Sequence, residues 1–375
     1  MRIGINLVQY TSLQGIEVFI QNIISNIEIE DNDSLVLFVN SKSAELFSGL
    51  NKKARVRTEK IPRLNNLGLI FYQQFGLVRS LKEEKIDILF CPSLALPLFF
   101  KNKIVTIHDL AFRRFPSEAN LFSRLYLNLA LLSAKYLSLK ITTVSEFSKN
   151  EIIKFLKINP EKISVLPEGA PALFKISAEE ENEILRSFDL ISNGETKKYF
   201  IYIGNIRARK NLKRIIEAFA SFSKNNPDYL FLVAGKENRN LLKLRARVKK
   251  MGIEEKIIFT GFISQNEKSA LLKNSQALIF VSLYEGFGLP ILEAQSLGIP
   301  VLSSNTSALP ETAGAGALFV SPENLEEIKN GLKTISQDIN RRAEIISAGT
   351  SNLNKYSWKI CAAKLIAIIK SYENS

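Results

Sequence analysis

The chain has 375 residues, 46% of them hydrophobic and 23% charged, enough for two domains that each bury a core and too apolar for disorder. Two cysteines, Cys91 and Cys361, exclude a disulfide framework; with one histidine and no Cys-x-x-Cys, they also exclude zinc sites of the usual spacing. A net charge of +13 suits phosphorylated substrates, an anionic membrane face or simply a lysine-rich background, and the lack of an RNA-binding signature ranks nucleic acid last.

The opening MRIGINLVQY has neither the apolar core nor the cleavage site of a signal peptide. The most apolar run, 86–100, is interrupted by Asp87, Pro92 and Pro97 and is too short to span a bilayer. The expectation is a reduced, cytoplasmic protein, soluble or peripheral at the inner face of the plasma membrane.

Strand-length apolar runs at 2–7, 35–40, 86–91, 104–107, 141–144 and 164–166 alternate with amphipathic stretches at 16–28, 69–84, 120–138 and 146–156. A second series has strands at 199–204, 229–234, 256–259, 277–281 and 301–303, and helices at 212–223, 265–274 and 290–297. Continuous apolar strands alternating with helices predict parallel sheets covered on both faces: an α/β chain of two doubly wound domains. The pattern breaks near 167–175, where Pro, Gly and Ala interrupt it. In such sheets ligands bind in the loops at the carboxyl ends of strands.

Three such loops carry chemistry. In SLYEGFGLPILEAQSLGIPVLSS a strand ends in a turn where Gly286 and Gly288 let backbone amides approach an anion, and Pro290 suits the first turn of the following helix. Glu285 before the turn and Glu293 on the helix can accept from sugar and ribose hydroxyls, although a glycine turn with two solvated acids would read the same way. YIGNIRARKNLKRIIEAF repeats the pattern: Gly204 at the strand end, then Arg207, Arg209 and Lys210 at a helix entrance, suited to a diphosphate or to a solvated basic loop. VTIHDLAFRRFP puts His108 at the end of a strand.

Glu285-x7-Glu293 within EGFGLPILEA resembles the signature of retaining GT-B glycosyltransferases, in particular the family 4-like mannosyltransferase type. Further segments match in order over nearly the whole chain. The resemblance implies two Rossmann-like domains facing across a cleft: an acceptor domain at 1–171 with a terminal helix at 358–375 returning to it, and a nucleotide-sugar domain at 172–357. By the same resemblance Glu293 binds the nucleotide ribose and Glu285 lies by the transferred sugar. The amides of Phe287, Gly288 and Leu289 contact sugar and phosphate. Arg209 and Lys210 meet the diphosphate, and Phe262 and Ile263 of TGFIS lie against the base. His108 contacts the transferred sugar or its acceptor while Asp109 orients the loop, and Gly15 in LQGIEVFIQNI belongs to a loop that closes on the diphosphate. Asn205 and Glu168 depart from the family pattern and receive no role.

The implied reaction is hexose transfer from a nucleoside diphosphate sugar to a saccharide or lipid-linked saccharide in surface polysaccharide synthesis. The anomeric configuration is retained and no metal is required. GDP-mannose is the first donor expected and a UDP-hexose the second. Lys101, Lys103, Arg113 and Arg114 are candidates for contact with an anionic membrane. Asp31-Asn32-Asp33 spells a metal-binding string but reads as a polar turn. Neither a phosphate-loop string nor a Gly-x-Gly-x-x-Gly fingerprint is present, which disfavours hydride transfer. A non-catalytic nucleotide-sugar-binding scaffold and a nucleotide-sugar epimerase stay open as alternatives.

Overall fold

The computed structural model describes residues 1–10, 16–61, 66–170 and 176–373. They fall into two units, Met1–Gly169 with Ser357–Ser375, and Ala170–Tyr356. Both are α/β.

The first unit is built on seven parallel strands, β1 (Arg2–Leu7), β2 (Ser34–Asn40), β3 (Ala54–Glu59), β4 (Ile88–Cys91), β5 (Lys103–Thr106), β6 (Lys140–Thr143) and β7 (Ile163–Val165), in the order β3-β2-β1-β4-β5-β6-β7. Beyond Arg2 every residue of β1 is buried, as expected of a strand covered on both faces. Helices Gly76–Glu83, Leu121–Leu137 and Glu146–Leu156 cover one face, where Leu81, Leu131 and Ile152 join Leu89, Val105 and Ile141 in one core. The β1-to-β2 crossover runs the opposite way along the sheet, so helix Ile16–Asn26 covers the other face, where helix Trp358–Lys370 packs against it. That terminal helix is tied down by Lys370, whose ammonium lies 2.7 Å from Asp33, a carboxylate shared with the Met1 ammonium at 2.7 Å.

In the second unit a helix, Ala178–Ser187, is followed by a small hairpin, β8 (Ile191–Ser192) and β9 (Glu195–Thr196). Its main sheet is parallel throughout: β10 (Lys198–Ile203), β11 (Tyr229–Ala234), β12 (Ile257–Gly261), β13 (Ala277–Phe280), β14 (Val301–Ser304) and β15 (Leu318–Val320), ordered β12-β11-β10-β13-β14-β15. Both sheets reverse direction beside their first strand, at β1/β4 and at β10/β13, which gives each unit a topological switch point.

The doubly wound α/β architecture is the one the sequence predicts, with local departures. The helix expected over 69–84 is two helices, Asn66–Gln74 and Gly76–Glu83, with Phe75 between them. The Tyr72 ring occupies the space a side chain at 76 would need, and glycine favours the break. β3 is absent from the expected strands because Arg55 and Arg57 conceal it: Arg57 is drawn back over the sheet edge by Glu59, Glu83 and Glu84. Lys103, expected among exposed cations, is buried, and its ammonium meets the carbonyl oxygens of Leu98 and Phe100. Arg114 is paired with Glu151. Asp31-Asn32-Asp33 is a turn whose carboxylates are taken by Lys53, Lys370 and the amino terminus. Among the described residues no helix is long and apolar enough to cross a membrane.

The chain leaves the first unit at Gly169, where an added Cβ would lie 2.3 Å from the Trp358 backbone nitrogen at the start of the returning helix. Backbone cannot yield as a flexible side chain does. Gly169→Ala should therefore cost about 1–3 kcal/mol, read as a lower urea midpoint with unchanged slope; an unaltered midpoint would show that the helix entrance shifts freely.

Candidate active site

At the switch point of the second unit two loops meet. The first begins at Gly204, whose amide donates to Ala234 O at 2.9 Å in a backbone conformation (φ +149°) that L side chains seldom adopt. Gly235 beside it is equally constrained: a Cβ there would stand 2.3 Å from Gly204 O. The chain then turns through Ala208–Lys210 to Asn211, which is left-handed (φ +61°) and starts helix Leu212–Ser223. The buried Asn211 amide donates to Val281 O at 3.1 Å and to Pro322 O at 2.7 Å. The loop is thereby fastened to the end of β13 and to the segment after β15.

The second loop follows β13. Leu283 N donates to Arg209 O at 2.8 Å, closing the two loops on each other. Glu285 N donates to the Ser307 hydroxyl at 3.2 Å, and the Thr312 hydroxyl donates to Phe287 O at 2.8 Å. Gly286 and Phe287 are buried in the turn. Gly288 has φ +115°, and a side chain there would meet Leu309 Cδ2 at 2.6 Å. Helix Leu289–Ser296 starts at the next residue, with Pro290 in its first turn.

Charge is concentrated where the loops touch. Arg209 Nη1 donates to Glu285 Oε2 at 2.9 Å and to Tyr284 O at 2.9 Å. Lys210 Nζ donates to Glu285 Oε1 and stands 5.1 Å from the Phe280 ring centroid. Glu285 and Lys210 are both buried, at 6% and 8% exposure. Burial pushes the Glu285 carboxyl up, but the Lys210 and Arg209 charges outweigh it and hold the group below the ordinary carboxylate range.

The structure thus brings Arg209, Lys210 and Glu285 into one cluster, flanked by Gly204 and by the turn 286–289. Glu293 is buried on helix Leu289–Ser296 and pairs with Lys268 of helix Gln265–Lys273, not with that cluster. Phe262 presents an exposed ring, 65% accessible, after the left-handed Gly261, while Ile263 packs partly against the core.

His108 belongs to the first unit, after β5. Its Nε2 lies 2.9 Å from Pro92 O, in the loop after β4; a carbonyl can only accept, so Nε2 carries the proton and Nδ1 is the acceptor of the neutral ring. Burial lowers the imidazole pKa and favours that form. Phe19 meets the ring edge-on at 5.0 Å, the Ser148 hydroxyl donates to His108 O at 3.1 Å, and the Asp109 carboxylate accepts Ala111 N at 2.8 Å, fixing the turn. Gly15 lies outside the described residues.

Sequence reasoning missed Lys268, Asn211, Ser307 and Thr312. Asn211 had a signal in the basic loop's RKN string, as a residue type that tolerates φ above zero. The other three gain their roles only from tertiary contacts. Among the described residues no group of three His, Cys, Asp or Glu is placed to hold a metal ion.

The family model for glycosyl transferases group 1 matches residues 187–352, and that for glycosyltransferase family 4 matches residues 13–172. O-antigen chain mannosyltransferase B of Escherichia coli is 27% identical over 297 residues, 78% of this chain and 76% of that protein. O-antigen chain mannosyltransferase RfbU of Salmonella typhimurium is 26% identical over 282 residues, covering 75% of this chain and 74% of its own. The crystal structure of Anabaena HepE in complex with UDP and glucose superposes with a TM-score of 0.77 at 18% identity, over 98% of this chain and 99% of that one. The chain therefore belongs to the GT-B glycosyltransferases, with a family 4 first half and a group 1 second half. It is an enzyme of glycosyl transfer.

Because the folded pKa of Glu285 is depressed, the stability it contributes is complete above the ordinary carboxylate range and is lost as pH falls through the folded value. Glu285→Gln should cost on the order of 3 kcal/mol at neutral pH, since it leaves the buried Lys210 and the partly buried Arg209 without their carboxylate. In urea titrations the difference from wild type should shrink as the pH is lowered; a penalty that stays constant into acid would mean that packing, not charge, is its source.

Proposed function

We propose that the protein transfers a hexose, with retention at the anomeric carbon, from a nucleoside diphosphate sugar to a saccharide or lipid-linked saccharide acceptor in surface polysaccharide synthesis. The observation that carries this reading is the buried Lys210–Glu285–Arg209 cluster at a switch point edged by glycine turns. Two relatives named as O-antigen chain mannosyltransferases support mannose, hence GDP-mannose, as the first donor to test; the UDP and glucose held by HepE support a UDP-hexose as the second.

In this reading the C1–O bond to the diphosphate breaks while the acceptor oxygen bonds to C1 on the same face. The acceptor's proton passes to the departing phosphate oxygen. Lys210 and Arg209 take up the charge that develops on the diphosphate, aided by the amides of Phe287, Gly288 and Leu289. Glu285 is ionised and bound by two cations, which suits positioning them and accepting from sugar hydroxyls better than attacking C1. Glu293 accepts from the ribose hydroxyls, Gly204 and Gly286 give the phosphates room, and Phe262 and Ile263 flank the base. His108 contacts the sugar or its acceptor through Nδ1, a role that rests on its motif. This chemistry draws its electrostatics from side chains and amides, and no metal is assigned to it.

Thermal shifts with GDP, UDP, ADP and their sugar conjugates test the donor site, because a ligand of the folded state raises its stability by mass action. One nucleotide family should stabilise the wild type and do so less in Lys210→Ala. Lys210→Ala should also lose roughly 10²–10³-fold in kcat/KM for transfer. A well-folded protein that none of these ligands shifts would overturn the assignment, and turnover of the donor to a free epimer without acceptor would replace transfer by epimerisation.

A further inference from the structure

Helices Leu212–Ser223 and Arg239–Lys250 follow β10 and β11, and both crossovers run the same way along the sheet, so the two helices cover one face of the second unit. The crossover from β13 runs the opposite way and puts helix Leu289–Ser296, with Glu293, on the other face. Between the first two helices lies an open cavity of about 310 Å³, at the lower end of the sizes that hold small ligands. Ile206, Leu212 and Leu244, all buried, supply its apolar walls. Arg207, Lys213, Lys243 and Arg247 line it with cations, while Arg209, Lys210, Glu285 and Glu293 take no part in it.

A lone basic side chain lying over apolar surface with its charge in water is ordinary. Here the cations surround one opening, and acid is scarce. Glu217 pairs with Arg247, and helix Arg239–Lys250 contains no Asp or Glu. Glu237 ahead of that helix pairs with Arg245, whose guanidinium lies 4.9 Å from the Phe259 ring centroid and does not line the cavity. Lys213 and Lys243 have no carboxylate partner among the described residues. Cations gathered beside apolar walls concentrate positive potential in the space between them, which favours an anion there. One carboxylate would bring them a single charge. A phosphate monoester brings close to two and three acceptor oxygens, which arginine meets bidentately and lysine as a point charge. The apolar walls then suit a compact, weakly polar body behind the phosphate. The cavity is also fastened before any ligand arrives: Asn238 and Asn240 donate to Ile206 O at 2.9 and 3.1 Å, joining the start of the second helix to the loop ahead of the first.

We infer that this cavity is a second anion site of the unit, separate from the cluster of Arg209, Lys210 and Glu285, and that it takes a small phosphate monoester. Arg207, Lys213, Lys243 and Arg247 hold the phosphate, and Ile206, Leu212 and Leu244 receive the body behind it. Its lining shares no side chain with the proposed diphosphate contacts, so the two readings succeed or fail separately.

Isothermal titration at low salt with phenyl phosphate, inorganic phosphate and benzoate separates the contributions of charge and body. The wild type should bind phenyl phosphate about tenfold more tightly than inorganic phosphate, which lacks the body, or benzoate, which lacks the second charge. Lys213→Gln with Lys243→Gln should weaken phenyl phosphate by about tenfold or more and leave nucleotide binding as in wild type. Lys210→Ala should do the reverse and keep the phenyl phosphate affinity. Both lysines are exposed, thermal melts establish folding of each variant, and Lys243→Glu alone replaces the pair if that pair melts early. A failure of every nucleotide to bind would leave these results unaffected. Four results would overturn the inference: no binding of phenyl phosphate to the wild type, inorganic phosphate or benzoate binding equally well, undiminished binding by the folded lysine variant, or loss of binding in Lys210→Ala, which would put the ligand at the cluster instead.

Discussion

The second unit is organised around one carboxylate that cannot be ionised alone. Glu285 is buried, and an isolated charge at that depth would take up a proton instead of remaining ionised. It stays ionised because Lys210 and Arg209 reach it from the neighbouring strand's loop. The dependence runs both ways, since two cations pressed into a loop junction need an anion to hold them in register. Every other feature of the junction serves that contact. Gly204 and Gly235 let the ends of β10 and β11 approach, Asn211 fastens the first loop to the end of β13, and Gly288 lets the second loop turn into its helix. The cations are therefore positioned before any ligand arrives, which is the condition under which charge stabilises a transition state without reorganising first.

Much of this was legible in the sequence because it is local. Gly286-Phe287-Gly288 followed by Pro290, and Gly204 ahead of a basic helix entrance, state their backbone geometry within a few residues. The strand-end rule then brings the two loops to the same edge of the sheet. What was not legible depends on distance along the chain. Lys268 meets Glu293 across 25 positions, and Asn211 reaches Pro322 across 111. No periodicity encodes either pairing. Composition also misled at two places in the first unit. Arg55 and Arg57 made β3 look like surface, although their charges are drawn along the sheet edge by Glu59, Glu83 and Glu84. Lys103 looked like a solvent cation, although its ammonium is turned inward onto two carbonyls.

The buried Lys103 has a consequence for the surface. By gathering the carbonyls of Leu98 and Phe100 it fixes the loop between β4 and β5, and Gln74 holds the same loop through Leu96 O and Leu98 N. Phe99 is then left with its ring outside, beside Phe75. An apolar side chain exposed by mobility could fold away. One exposed because the backbone on either side is tied down cannot, and its exposure is part of the fold.

The two units apply one topological rule to different chemistry. Apart from Glu59, which closes the edge strand β3 and pairs with Arg57, the buried polar residues at the carboxyl edge of the first sheet are uncharged: Asn6 on β1, Asn40 closing β2, Thr106 closing β5, Thr143 closing β6 and Ser145 just beyond. Their hydrogen bonds go mostly to backbone, as when Asn40 spans Val8 O and Tyr10 O and Asn6 reaches Ala95 O. His108 joins them as a neutral ring whose proton is committed to Pro92 O. A rim of neutral donors and acceptors suits hydroxyl groups, which ask for direction more than charge. The carboxyl edge of the second sheet instead concentrates ions where its two loops touch. An edge of that kind suits an anion and the charge that grows on it during bond cleavage. The contrast does not come from the fold, since both sheets share the order that places a switch point beside the first strand. It comes from a few loop residues, which give the two edges different chemistry on one topology.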